Sequence, residues 1–183
     1  MKKLIALTLL LCTLVLLLSS CGSRNAVKIE KPEDTNLEYW LGDSPNKREW
    51  TQLTSSGRKT NRYLAQGYEA VINENGDLCK PEHCVVYVLE DELFSSAGLN
   101  RIADIIITDP SVQVWGFTIN SSKQEVETII ESMGFKGRGV YSTSGKWIYE
   151  NYMIKVEFGK SIIISCQTLN ILHSIYWGEK VYD

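Results

Sequence analysis

The stretch KWIYENYMIKVEFGKSIIISCQT, residues 146–168, decides the fold. Ile154, Val156 and Phe158 alternate with Lys155 and Glu157, the period of a strand with one buried face. Ile162, Ile164 and Cys166 repeat the pattern a few residues later. A loop of Gly159, Lys160 and Ser161 sets all six apolar residues on one face, as a bulged hairpin does. A shorter loop pairing Phe158 with Ser161 would spoil the pattern, so register favours the longer one.

The apolar face of this hairpin needs a cover, and one stands upstream in SSKQEVETIIESMGF, residues 121–135. Ser122 and Glu125 have the spacing of a capping box. Val126, Ile129, Ile130 and Met133 fall on one helical stripe. Gly134 suits the left-handed position after a helix, and Phe135 can pack back on the last turn. An amphipathic helix is expected here, lying on the sheet. The first half has a similar order. LEYWLGDS, residues 37–44, reads as a short helix ending at Gly42. YEAVIN (68–73) and CVVYVLE (84–90) read as a strand pair around a cysteine-bearing loop, and RIADIIITDP (101–110) as a third strand ended by Asp109-Pro110. The expected fold is α+β: an antiparallel sheet with one or two short amphipathic helices on one face, arranged as two divergent helix-plus-strands units.

The N-terminus has another purpose. Lys2 and Lys3 precede an apolar run from Leu4 to Leu18, broken only by Thr8 and Thr13. The run is shorter than the roughly 20 residues of a spanning helix, and small residues close it, as in a secretory signal. The closing residues Leu18-Ser19-Ser20-Cys21 resemble the lipobox of bacterial lipoproteins. The resemblance implies a diacylglycerol on the Cys21 thiol, cleavage before Cys21 and often acylation of the new N-terminus. Two or more acyl chains hold a protein stably, each buried CH₂ contributing about 0.8 kcal/mol. Gly22 stands where the known inner-membrane retention signal has aspartate. The chain thus divides into a signal peptide (1–20), a lipidated cysteine with a polar tether (21–36) and a single α+β domain (37–183). Export to the cell membrane or outer membrane follows, with the lipid as the membrane contact.

Losing Lys2 and Lys3 leaves 17 basic residues against 22 acidic ones, a mature charge of −5. That excludes the basic footprint of a nucleic-acid binder and a polybasic lipid-reading patch. The run DPSVQVWGFTINSSKQEVETIIESMGF, residues 109–135, resembles small secreted proteins of the β-lactamase-inhibitor-protein-like group, a pattern shared by small outer-membrane assembly lipoproteins. Gly116, Phe117, Ile119, Val126, Met133 and Gly134 carry the match. The resemblance implies a capped helix under an antiparallel sheet. It also implies binding of other proteins rather than catalysis.

LCKPEHC, residues 78–84, is the densest chemistry. Cys79, His83 and Cys84 make a weak metal-ligand set, because a structural zinc usually takes four ligands and only Cys166 is left to complete it. A disulfide between Cys79 and Cys84 suits an oxidising compartment, with Cys166 a buried thiol, although a bridge from either to Cys166 stays open. The spacing is not that of a redox CxxC. Nucleophilic catalysis has little material: two histidines, His83 and His173, and no GxSxG elbow. GRKTNR (57–62) lacks the spacing of a phosphate loop. Glu90, Asp91 and Glu92 read as a solvated strand end. No catalytic residue and no cofactor is expected. Among the aromatics, Trp147, Tyr149 and Tyr152 follow a glycine-rich approach, GRGVYSTSGKW (137–147), and are the expected contact for a protein partner. The expected function is a non-catalytic protein-binding lipoprotein of the envelope. The rival is a ligand-binding or hydrolytic lipoprotein acting on envelope glycans or peptides.

Overall fold

The structure, a computed structural model, describes residues 29–46, 50–90 and 101–166. The signal segment, Cys21, Asp91, Glu92, His173 and Trp177 lie outside the described residues. The strands are β1 (Thr51–Ser55), β2 (Arg58–Leu64), β3 (Val71–Ile72), β4 (Leu78–Cys79), β5 (Val85–Leu89), β6 (Ile102–Ile107), β7 (Lys136–Val140), β8 (Ser144–Tyr149), β9 (Tyr152–Glu157) and β10 (Ser161–Cys166). The helix α1 (Lys123–Ser132) lies between β6 and β7. Eight strands form one antiparallel sheet in the order β1-β2-β5-β6-β10-β9-β8-β7. Each half of the chain supplies a four-stranded meander, and the two meet where β6 pairs with β10. β3 and β4 form a separate ribbon between β2 and β5. The molecule is largely β, with α1 the one helix among the described residues.

The two central strands explain the order. Ile105, Ile106 and Ile107 face Ile164, Ile163 and Ile162 in antiparallel register. Runs of isoleucine without alternation are buried on both faces, and such strands belong in the middle of a sheet. One face carries Val85, Tyr87, Ile105, Ile107, Ile154, Val156, Ile162 and Ile164 into the main core, where Val126 and Ile130 of α1 are fully buried against them. Burying each of these two side chains contributes about 1.5–3 kcal/mol, which is why a short helix holds its place. Ser122 Oγ accepts the Glu125 N–H at 3.3 Å at its start. At its end the Gly134 N–H reaches Glu131 O and the Phe135 N–H reaches Ile130 O, the paired bonds of a Schellman turn. Gly134 has φ +90°, where a side chain is strained.

The hairpin turn differs from expectation by a shift of one residue. Glu157 pairs with Ser161, Val156 with Ile162 and Ile154 with Ile164, so the loop is Phe158-Gly159-Lys160. The Lys160 N–H closes it on Glu157 O, with Gly159 at φ +75° in the third position. A loop one residue earlier puts glycine where the turn needs a positive φ. The loop keeps its length, so the aliphatic residues of the two strands stay on one face, and only Phe158 leaves the strand.

Three expectations fail in the first half. LEYWLGDS is not helical: Leu37, Trp40 and Leu41 are buried in an irregular segment, and Gly42 bonds to Ile102 O. The segment's three apolar anchors fill the core without helical hydrogen bonds. YEAVIN does not pair with CVVYVLE. β5 is buried along its whole length between β2 and β6, whereas Val71 and Ile72 are exposed and pair with Cys79 and Leu78. The described end of the expected tether, 29–36, lies on the domain. Ile29 O accepts the Trp40 Nε1–H at 2.9 Å, and the Asp34 carboxylate accepts the Gly116 N–H.

Removing the cap with Ser122→Ala should lower stability by about 0.5–2 kcal/mol, read as a reduced urea midpoint with an unchanged slope.

Candidate functional site

The strand residues that alternate away from the main core build a cleft at one end of the sheet. β9 presents Lys155 and Glu157, β10 presents Ser161 and Ile163, and β6 presents Ile106. The cleft measures about 380 Å³. Its walls come from the segment before β5, with Lys80, Glu82 and His83, and from the β9–β10 turn, with Gly159 and Lys160. Thr108 and Ile119 complete it.

Local hydrogen bonds fix each wall. The Thr108 N–H donates to Cys84 O at 2.9 Å, and the Cys84 N–H donates to Thr108 Oγ1 at 3.0 Å, tying the two strand ends together. His83 Nδ1 lies 3.2 Å from Thr108 O. A carbonyl only accepts, so Nδ1 carries the proton and Nε2 is the acceptor nitrogen of the neutral ring. The turn is held by the Gly159 N–H on Ile119 O at 2.7 Å and the Phe158 N–H on Thr143 O at 3.0 Å. Beside the cleft, Asp109 accepts from Ser111 Oγ, Ser111 N–H and Tyr68 OH. The Ser111 bonds lead in holding its carboxyl below the ordinary value, and burial leads in pushing the Tyr68 hydroxyl up.

The cleft has an aliphatic floor of Ile106, Ile119 and Ile163 under a rim of three lysines, two glutamates and His83. With His83 neutral the formal charge of the rim is +1, on a chain whose charge is −3 overall. Low-dielectric walls with one sign in excess concentrate ligands of the opposite sign. This surface was not recognised in the sequence. Lys155 and Glu157 appeared there only as the solvent side of a half-buried strand, and nothing local says that residues 80–83 fold over them.

The expected contact residues are elsewhere. Trp147 is fully buried, Tyr152 is buried and Tyr149 is half-buried with its ring 5.6 Å from that of Phe135. The glycine two residues upstream explains why. A Cβ on Gly145 would lie 2.1 Å from the Trp147 ring. GRGVYSTSGKW is therefore a cradle for a buried indole rather than an approach to an exposed one. The Trp147 Nε1–H meets no acceptor among the described residues. Other aromatics pack inward as well: Trp50 stacks on Tyr87 at 4.7 Å, and Trp40 meets Trp115 edge-on at 5.4 Å, whereas Tyr141 is exposed.

Cys79, Cys84 and Cys166 are free thiols, so the bridge weighed between Cys79 and Cys84 is not formed in this structure. Cys84 Sγ instead donates to Pro81 O at 3.4 Å, and burial pushes its thiol pKa up. Among the described residues no three His, Cys, Asp or Glu side chains gather as a metal-ligand set, so Cys79, His83 and Cys84 do not converge. Glu90 is not a solvated end. It is buried and takes a two-pronged bond from Arg101, at 3.0 and 3.1 Å.

One further carboxylate organises the far edge. Ser56 and Gly57 form the β1–β2 turn with φ of +52° and +72°. Asp77 accepts the Gly57 N–H at 2.7 Å, the Ser56 N–H at 2.8 Å and the Thr54 hydroxyl at 3.1 Å. These bonds, the Gly57 one foremost, hold its carboxyl below the ordinary value of 3.8.

Gly145→Ala should destabilise by about 1–3 kcal/mol or abolish folding, because the indole has nowhere to move; denaturant melts monitored by Trp fluorescence read this. For Asp77 the folded-state pKa is the lower one. Its contribution is complete above the ordinary carboxylate value and is lost as pH falls through the folded value. Asp77→Asn should therefore lower Tm at neutral pH and flatten the fall in Tm below about pH 4, a comparison made by circular dichroism. No protein-family model, no curated protein and no solved structure matches this chain.

Proposed function

We propose that this is an exported, lipid-anchored envelope protein whose domain is a non-catalytic binding module for a protein partner. The membrane half of the proposal rests on Leu18-Ser19-Ser20-Cys21 after a charged and apolar leader. The binding half rests on the cleft. An aliphatic floor under a ring of opposite charges suits recognition, since the floor supplies affinity and the charges supply orientation. The capped helix followed by an antiparallel meander supports the resemblance to the β-lactamase-inhibitor-protein-like group, and with it protein binding. The contact moves from Trp147, Tyr149 and Tyr152, which are occupied in the core, to the cleft.

Chain length bears on how the module is presented. Ile29 is in contact with the core, only eight residues after Cys21. Eight residues reach at most about 28 Å. A lipid on Cys21 therefore keeps the domain close to the bilayer. The Ile29 backbone is hydrogen-bonded to Tyr152 at the start of β9, whereas the cleft lies at the other end of that strand. Ile29, the first described residue after the cysteine, and the binding surface are thus at opposite ends of the β9–β10 hairpin.

Two measurements test the proposal. The full chain, expressed in a bacterial host, should fractionate with membranes and carry an acyl-modified N-terminal cysteine by mass spectrometry. Cys21→Ala should do neither. A photo-crosslinker at position 160 should give one discrete protein adduct on native membranes, lost when Lys80→Glu is added and absent with the crosslinker at Arg138. Adducts of equal yield from both positions would sink the binding-module assignment. No protein adduct from position 160 would favour the rival reading, a small ligand in the same cleft.

A further inference from the structure

The cleft holds three kinds of group close together, and few ligands satisfy all three. Lys80 and Lys160 supply cations, and neither is in an ion pair among the described residues. Ile106 and Ile163 supply an aliphatic floor. His83 supplies an acceptor, because its Nδ1–H is committed to Thr108 O and Nε2 is left to accept. We infer that this cleft takes the C-terminal residue of a polypeptide: the terminal carboxylate on Lys80 and Lys160, an apolar side chain on the isoleucine floor, and the last amide N–H on His83 Nε2. The inference rests on the protein-binding reading and names what part of the partner enters.

Charge and size both narrow the ligand. Glu82 and Glu157 share the rim, so its excess is one positive charge. A single carboxylate balances that excess, whereas a phosphate group, at about −1.5 to −2, exceeds it and leaves negative charge uncompensated beside the two glutamates. A volume of about 380 Å³ is near the lower end of ligand sites, which run from about 300 to 1,000 Å³. It admits a chain end and excludes a folded surface. A chain end is also the one place where a polypeptide offers a carboxylate, an amide N–H and a side chain on the same few atoms. The Thr108–Cys84 bonds and the Gly159–Ile119 bond make both walls rigid, so the site is formed before the ligand arrives.

The test is fluorescence anisotropy with the full-length lipoprotein in detergent micelles. The probe is a fluorescein-labelled hexapeptide ending in leucine with a free carboxylate. The same peptide as its C-terminal amide should bind about tenfold more weakly or worse, since a hydrogen-bonded charge pair is lost. Lys80→Gln with Lys160→Gln should cost a similar factor. Lys123→Gln, on α1 and not among the residues that line the cleft, should change nothing. N-acetyl-leucine should compete, and free leucine and inorganic phosphate should not. Equal binding of acid and amide, undiminished binding by the double variant, or no binding of the acid peptide would each overturn the inference. Competition by free leucine as strong as that of N-acetyl-leucine would also overturn it, making the ligand a free amino acid. The outcomes separate from those of the broader proposal. A crosslinked partner at position 160 without peptide binding removes only the chain-end inference. Peptide binding without a crosslinked partner keeps the site chemistry and removes the stable partner.

Discussion

The pairing of β6 with β10 is the constraint on which the rest depends. Each half of the chain folds into a meander of neighbours, and neither meander alone covers its last strand. Ile105–Ile107 and Ile162–Ile164 each need apolar partners on both faces and a hydrogen-bonded neighbour on both edges. Only the other half supplies the second edge. Joining them creates a sheet wide enough for α1, Phe117, Trp40 and Trp147 to share one core. It also sets Asp104 opposite Ser165 in the centre of the sheet, both buried, so this ladder carries polar groups that a slipped register would misplace.

The same ladder makes the cleft. Where β6 ends and β10 begins, Ile106, Thr108, Ser161 and Ile163 come from residues more than 50 positions apart in the chain, and the turn carrying Lys160 is brought over them. No local segment contains the site. It exists only because a terminal strand of the first meander is laid against a terminal strand of the second. A cleft built at such a junction has a floor of strand and a rim of loop, the rim held by its bonds to Thr108 and Ile119.

What was legible in the sequence was what local periodicity encodes. Helix α1 could be read from Ser122 to Gly134 because caps, stripe and stop agree with one another. The β9–β10 hairpin was legible because its alternation is strict; its turn was missed by one residue because glycine was placed at the loop's first position rather than where the positive φ lies. β1 and β2 went unread although Ser56-Gly57 has the two-residue turn chemistry that marks a hairpin, since the flanking strands TQLTS and RKTNRYL are polar at alternate and adjacent positions alike. Asn73 to Asp77 held a similar signal: Asn73 Oδ1 accepts from Asn75 and Asp77 and turns the chain tightly into β4. YEAVIN was assigned to the wrong partner because pairing is a nonlocal choice that pattern alone does not make. LEYWLGDS misled because its apolar spacing of three and four residues serves an irregular segment as well as a helix.

The misplaced aromatic contact shows how composition can point away from a site. In the sequence, glycines beside tryptophan read as an approach to exposed rings. A glycine within a strand instead marks a place where something must come close to the backbone, and at Gly145 that something is the indole of Trp147 two residues on. Exposure would have required a neighbour with a side chain to lift the ring off the sheet. The residues that do face outward, Lys155 and Glu157, gave no such cue, because alternating charge on a strand is what any solvated face carries. Their significance comes only from Ile163 and Ile106 beside them. With Ile106 half-buried and Ile163 buried between opposite charges, the floor is a surface that a ligand can cover while the rim orients it.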